Sequence, residues 1–351
     1  PSKPLTKLIT YQTSNIMNMN LITLILVVLA PAATTALQGV SVPKPKTSSF
    51  QRSAVAIEPQ HFTFANPGSV PTSLAFPEDS DYRFPSLLEH QPVYVPGRPQ
   101  DAAKEEPTTL TTELFGEAFG TFWIVGLGSL ASMAATFSDP FSSTPLAEIA
   151  LVWSTVVAAS IGLCSSQNWG QAHFNPAMTL ASALFRGFEW NKVLPYSLAQ
   201  LTGSTLGSAA AYSVFANQIA EFEEQQGLVH SSCIDTARVF GDYFDPACLS
   251  TAQAFGVEAL GTAIIAATAF AITHPSLANK NLPPVPLVMG GTVFTLINWL
   301  APFTQAGMNP ARDLGPRLVA YVAGWTDVAF DESWLYAVAP LVGASVGAAL
   351  V

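Results

Sequence analysis

Beyond residue 112 the chain alternates long apolar runs with short polar connections. Six runs, at 114–137, 146–164, 194–216, 252–273, 285–303 and 334–351, reach bilayer-spanning length, because a hydrocarbon core of about 30 Å takes about 20 helical residues. Most charged residues fall between the runs. Two further segments, following Pro176 and Pro310, are helical in pattern but short and flanked by polar residues. Ala177 to Arg186 is ten residues, about 15 Å as a helix, or half the bilayer. The pattern predicts an all-α membrane protein with six transmembrane helices and two re-entrant half-helices.

The second half repeats the first. Glu117-Ala-Phe-Gly-Thr121 returns as Glu258-Ala-Leu-Gly-Thr262, Asn175-Pro176-Ala177 as Asn309-Pro310-Ala311, and Tyr196 to Gly203 as Tyr336 to Gly343, at offsets of 141, 134 and 140 residues. One tripeptide match would be noise, whereas three in the same order define an internal repeat. Repeat 1 covers 113–216, a connection 217–251, and repeat 2 252–351. Gly116-x-x-x-Gly120, Gly203-x-x-x-Gly207 and Gly343-x-x-x-Gly347 put small residues one turn apart, which lets helix backbones approach closely.

Pro176 and Pro310 suit the first turn of a helix, where a missing N–H loses no partner. Half-helices entering from opposite faces would meet N-terminus to N-terminus at the midplane, where irregular backbone survives only if it is buried or lines a cavity. Each terminus carries about half a positive charge, a barrier to cations that the general rules of pore selectivity already describe. Asn175 and Asn309 would cap these helices and face a lumen as donors. Arg312, directly after the second motif, is an arginine at membrane depth and so a functional candidate, with an interfacial snorkelling residue as the plain alternative.

These motifs resemble the aquaporin, or major intrinsic protein, family over about Glu113 to Val351. The resemblance implies an inverted repeat forming a passive channel for water and small neutral solutes, with both termini cytoplasmic and a homotetramer in which each subunit has its own pore. It implies that Glu117, Glu258 and His173 brace the half-helix loops. It puts the narrowest constriction at Arg312, Ala306, Ile297 and a fourth position, Thr155 by ungapped counting or Trp153 if the preceding loop is two residues longer. Ile297 with Ala306 makes a wider, more apolar constriction than in water-selective members, similar to vacuolar and nodulin-type channels. Asp313 followed by Arg317 resembles the glycerol-conducting branch. An apolar wall with donors on one side suits a polyol such as glycerol.

Composition adds limits. Only 11% of residues are charged and the mean hydropathy is +0.34. The net charge of −10 comes from the tail and loops, among them Glu221, Glu223, Glu224, Asp235, Asp242 and Asp245, so nucleic acid is not an expected partner. No metal pattern, cofactor motif or nucleophile–base set appears, and no catalytic residue is assigned. Cys164 reads as a small buried residue, while Cys233 and Cys248 share one connection and could pair in an oxidising space.

Residues 1–57 read as a targeting presequence, with a signal-like apolar core at about 17–36 and a transit-like stretch at 41–57; 58–112 is Pro-rich and reads as a disordered tail ahead of the 113–351 channel domain. The basic residues Arg186, Lys192 and Lys280 fall on the side the resemblance puts inside. The presequence is compatible with delivery to a plastid membrane or with the secretory pathway and plasma membrane. Two rivals stay open: a non-conducting structural or adhesion protein of the same fold, kept alive by the tail and acidic loop, and a proton-coupled transporter using Glu117 and Glu258.

Overall fold

The computed structural model describes residues 108–138, 144–277 and 282–351. The presequence, almost all of the Pro-rich segment and Lys280 lie outside the described residues. Among the described residues the regular structure is helical: α1 (Leu110–Phe137), α2 (Leu146–Ser166), α3 (Pro176–Phe185), α4 (Trp190–Gln226), a single turn α5 (Ile234–Ala237), α6 (Thr251–Ile272), α7 (Val285–Thr304), α8 (Pro310–Ala323) and α9 (Ser333–Ala349). Four of these, α1, α2, α6 and α7, are long and apolar enough to cross a membrane. Helix α9 is apolar but has 17 residues, and α4 runs to 37. Large apolar side chains such as Leu151, Leu206, Leu260, Leu287 and Val346 point outward and exposed, the arrangement that suits a lipid-facing surface.

Helix ends follow local chemistry. The Thr109 hydroxyl accepts from Thr112 N at the start of α1, and Ser250 with Gln253 forms a reciprocal capping box at α6. Helix α4 overruns the apolar run that predicts it (194–216) by ten residues. Its extension is amphipathic, with Glu221 and Glu224 outward and Ile219 and Glu223 buried, and it stops at Gly227 in the left-handed region (φ 65°).

Packing repeats with the sequence. Helix α1 lies along α4 as α6 lies along α9, α1 meets α2 as α6 meets α7, and each half-helix packs on a helix of the other repeat, α3 on α9 and α8 on α4. The α2–α7 contact links the repeats across the centre. At the two main crossings a Cβ on Gly203 or Gly207 would run into the carbonyl oxygens of Ala118 or Phe122, and on Gly343 or Gly347 into those of Ala259 and Ala263. Gly116 and Gly120 differ from expectation. Their missing side chains admit the loop before α3, namely Trp169 and the Phe174 ring, and the Phe174 position is matched in the second repeat by Met308 against Gly261.

The connection 227–250 is pinned rather than loose. Glu223, buried near the end of α4, accepts from the Thr236 hydroxyl and meets His230 Nδ1 at 2.6 Å. Trp325 Nε1 donates to the same Thr236 hydroxyl at 2.9 Å. Glu223→Ala should therefore lower stability by roughly 2 kcal/mol, the scale of lost hydrogen bonds to a charged group; an unchanged melting temperature in detergent would contradict this anchoring. Cys233 and Cys248 do not pair: both are free thiols, the first buried and the second exposed.

Candidate functional site

The half-helices α3 and α8 begin at equivalent prolines, and their first turns are tied to each other. The Asn175 side-chain oxygen accepts from Ala177 N at 2.9 Å, and its amide donates to the carbonyl of Met308 at 2.9 Å. Asn309 reciprocates: its oxygen accepts from Ala311 N at 3.0 Å and Arg312 N at 3.3 Å, and its amide donates to the carbonyl of Phe174 at 2.8 Å. Capping and cross-linking are thus the same geometry. Each asparagine closes its own helix and grips the residue preceding the other.

The backbone leading into each helix is strained in the same places. Ala172 and Phe174 before α3, and Ala306 and Met308 before α8, have φ between 51° and 60°, a region that non-glycine residues occupy at an energetic cost unless their surroundings hold them there. Two carboxylates do the holding. Glu117 accepts from His173 N (2.8 Å), Phe174 N (2.7 Å) and Gln200 Nε2 (2.7 Å). Glu258 accepts from Gly307 N (3.0 Å), Met308 N (2.6 Å) and the Thr304 hydroxyl (2.6 Å). Both are fully buried and absent from the cavity lining. Hydroxyls of Thr179 and Ser182 meet the two ring nitrogens of His173 at 3.2 and 3.1 Å, which fixes that ring against α3.

A cavity of about 950 Å³ passes between the helices, lined by Asn175 and Asn309 together with residues from both repeats. Much of the lining is apolar, from residues such as Ile124, Val157, Ile161, Met289, Val293 and Ile297. Its polar lining includes the two asparagines, His173 and Arg312. Trp153, Ile297, Ala306 and Arg312 all line the cavity, with the guanidinium carbon 4.8 Å from the Trp153 ring centroid. Thr155 is exposed on the outer face of α2 and does not line the cavity. Two residues along a helix is a turn of about 200°, so only one of the alternatives could face inward, and it is Trp153. Among the described residues no group of three His, Cys, Asp or Glu could hold a metal ion.

Asp313 and Arg317 do not line the cavity; they are fully buried behind it. Arg317 Nε meets Asp313 Oδ2 at 2.7 Å, and its guanidinium also donates to the carbonyls of Asp242, Ala329 (2.8 Å) and Asp331 (3.1 Å). Asp313 Oδ1 accepts from Asp242 N at 2.7 Å. The pair therefore holds the connection 238–243 against α8. Gln305 clips the same connection, accepting from Tyr243 N and donating to the Arg238 carbonyl, both at 2.9 Å.

Asp242 is the residue that sequence reasoning misplaced. Read as one acid of a charged loop, it is fully buried and pairs with Arg312 at 2.9 Å. Its hydrogen-bonding and ionic partners, Arg312, Asp313 and Arg317 of α8, lie at least 70 positions away, and it has no counterpart in the first repeat, so neither local pattern nor symmetry could have singled it out.

Comparison with known proteins agrees with this architecture. The sequence profile described as major intrinsic protein matches residues 105–351. The chain is 36% identical over 250 residues to the glycerol uptake facilitator protein of Pseudomonas aeruginosa, a match covering 68% of this chain and 88% of that protein. It is 34% identical over 252 residues to a propanediol uptake facilitator of Citrobacter freundii, covering 69% and 91%. The crystal structure of the aquaglyceroporin from Plasmodium falciparum superposes with a TM-score of 0.58 at 24% identity, over 69% of this chain and 95% of that one, a likeness of fold.

Proposed function

The chain belongs to the major intrinsic protein family, and from that premise we propose a passive membrane channel for water and small neutral solutes, glycerol among them. The observation that carries the reading is the reciprocal pair of asparagines at the junction of α3 and α8, in the wall of a cavity with many apolar lining residues. Each amide spends one N–H on the opposite loop, leaving the second for a passing water or hydroxyl oxygen. The two helix N-termini put positive potential at the same point, opposing cations and protons. A polyol fits such a passage with its carbons against the apolar wall and its hydroxyls toward the donors.

On this reading Trp153, Ile297, Ala306 and Arg312 form the constriction. Ala306 leaves room on one side, and Arg312 supplies several donors in a fixed fork. Glu117 and Glu258 are spent on backbone N–H groups away from the lumen, which argues against a proton relay and for passive flow. Relatives named for glycerol and propanediol uptake support small polyols as solutes. A homotetramer with one pore per subunit fits the exposed apolar helix faces. The presequence pattern keeps a plastid membrane or the secretory route as the destination.

The test is uptake of labelled glycerol into proteoliposomes, with and without an imposed pH gradient. Uptake should run down its own gradient to equal concentrations, at a rate unchanged by the pH gradient. Accumulation above the outside concentration would show coupling and overturn the passive channel.

A further inference from the structure

Asp242 pairs with Arg312 in an unusual way. Its Oδ2 lies 2.9 Å from Arg312 Nη1, yet neither carboxyl oxygen receives an aligned hydrogen bond. The Nη1 group points its N–H at the Phe240 carbonyl, 3.1 Å away. The contact is an ion pair by proximity, without the directed bonds that usually lock such a pair in place.

Neighbouring acids are better satisfied. Asp313 accepts from Asp242 N and Arg317 Nε, and Glu258 accepts from Thr304, Gly307 N and Met308 N. Asp242 faces Arg312, Asp313 and Arg317 of α8, Glu258 of α6, Tyr336 of α9 and Tyr243 of its own connection. The carboxyl groups of Asp242, Glu258 and Asp313 thus share one buried cluster with the guanidinium groups of Arg312 and Arg317. Fully ionised, the cluster would hold an excess negative charge away from water, which is strongly unfavourable. A single proton removes the excess, and it belongs on the carboxyl with the fewest donors, Asp242. Burial pushes this carboxyl well above the usual carboxylate range, against the pull of Arg312.

We propose that Asp242 is a titratable counter-ion to Arg312 that sets the charge of the constriction, and through it the rate of solute passage. The proposal rests on the reading of Arg312 as a pore-lining group. Asp242 does not line the cavity, so it acts as a positioning residue through Arg312. Ionised, it cancels the guanidinium charge. Protonated, it removes the nearest counter-ion of the guanidinium, whose charge then acts more strongly toward the lumen and holds the oxygen of a passing water more tightly. Conduction needs binding weak enough to release, so the protonated form is the slower one. The connection stays in place in both forms because Arg317 and Gln305 hold its backbone, not its carboxyl.

The substitution Asp242→Asn mimics the protonated form with the same shape, and it removes no aligned hydrogen bond. Water permeability of proteoliposomes is measured by stopped-flow, with equal buffer on both sides, from about pH 9 to about pH 6, the span over which a raised carboxyl takes up its proton. The unmodified chain should slow by about fivefold on acidification, equivalent to ~1 kcal/mol at 1.36 kcal/mol per tenfold. Asp242→Asn should be slow and flat across the range, at the acid rate of the parent, with an unaltered melting temperature. A parent whose rate ignores pH, or a variant that keeps the parent's pH profile, would overturn the proposal. If the parent conducts nothing at any pH, the channel reading itself falls and takes this inference with it.

Discussion

Replacing Glu258 with alanine is expected to abolish glycerol and water flux and to destabilise the protein by roughly 3–5 kcal/mol, the range for breaking a buried charged network. The carboxylate accepts from Gly307 N, Met308 N and Thr304. Without it the two amides are stranded out of water, each orphaned group being costly in its own right. The same loop holds Gln305, Ala306 and Met308 at positive φ, a conformation that persists only while its surroundings impose it. Release of that strain removes the Met308 carbonyl from Asn175, so damage in one repeat reaches the other half-helix. Glu258→Gln keeps one acceptor oxygen and should be milder. Thermal unfolding in detergent alongside flux is the readout; Glu258→Ala with parental melting and parental flux would refute the bracing role.

Gly343→Leu should be at least as disruptive, through sterics alone. A Cβ at that position already overlaps the Ala259 carbonyl of α6, and both atoms belong to helix backbones with no rotamer to yield. Overpacking a tight core costs about 1–3 kcal/mol when side chains can move; here α9 must separate from α6, so the protein should fail to fold. Gly256, also on α6, has nothing within 4 Å of its Cβ position. Gly256→Ala should be neutral or stabilising by up to about 1 kcal/mol through helix propensity. Equal yields of folded protein from Gly343→Leu and Gly256→Ala would contradict the crossing.

Much of this was legible in the sequence because it is local or repeated. The proline-started half-helices, the asparagine caps and the glycine crossings depend on neighbours a few residues away or on a second copy at a fixed offset. The reading faltered where neither held. Hydropathy ends the fourth helix at 216 because it registers apolarity, whereas the backbone continues through Glu223 and Gln225 to Gly227. Counting without a gap gives Thr155, while helix geometry turns Trp153 inward. Asp313 and Arg317 were legible as marks of solute class, but their clamp on the connection that carries Asp242 was not. That clamp joins residues more than 70 positions apart, and no pattern along the chain announces it.

Division of labour between the two arginines of α8 follows from burial. Arg317 is fully enclosed, donates to the Asp313 carboxylate and to backbone carbonyls, and lies over the Tyr243 and Tyr336 rings, so it holds structure. Arg312 keeps part of its surface toward the cavity, between Trp153 and Asp242. On the channel reading it is the one that solutes meet.

Passive conduction is tested most directly by stopped-flow light scattering of liposomes containing the full chain, challenged first with sucrose and then with glycerol. Rapid shrinkage under sucrose, followed under glycerol by shrinkage and rapid re-swelling, is the result this account predicts. Rates no faster than those of empty liposomes in both challenges, from protein shown to be folded, would contradict it.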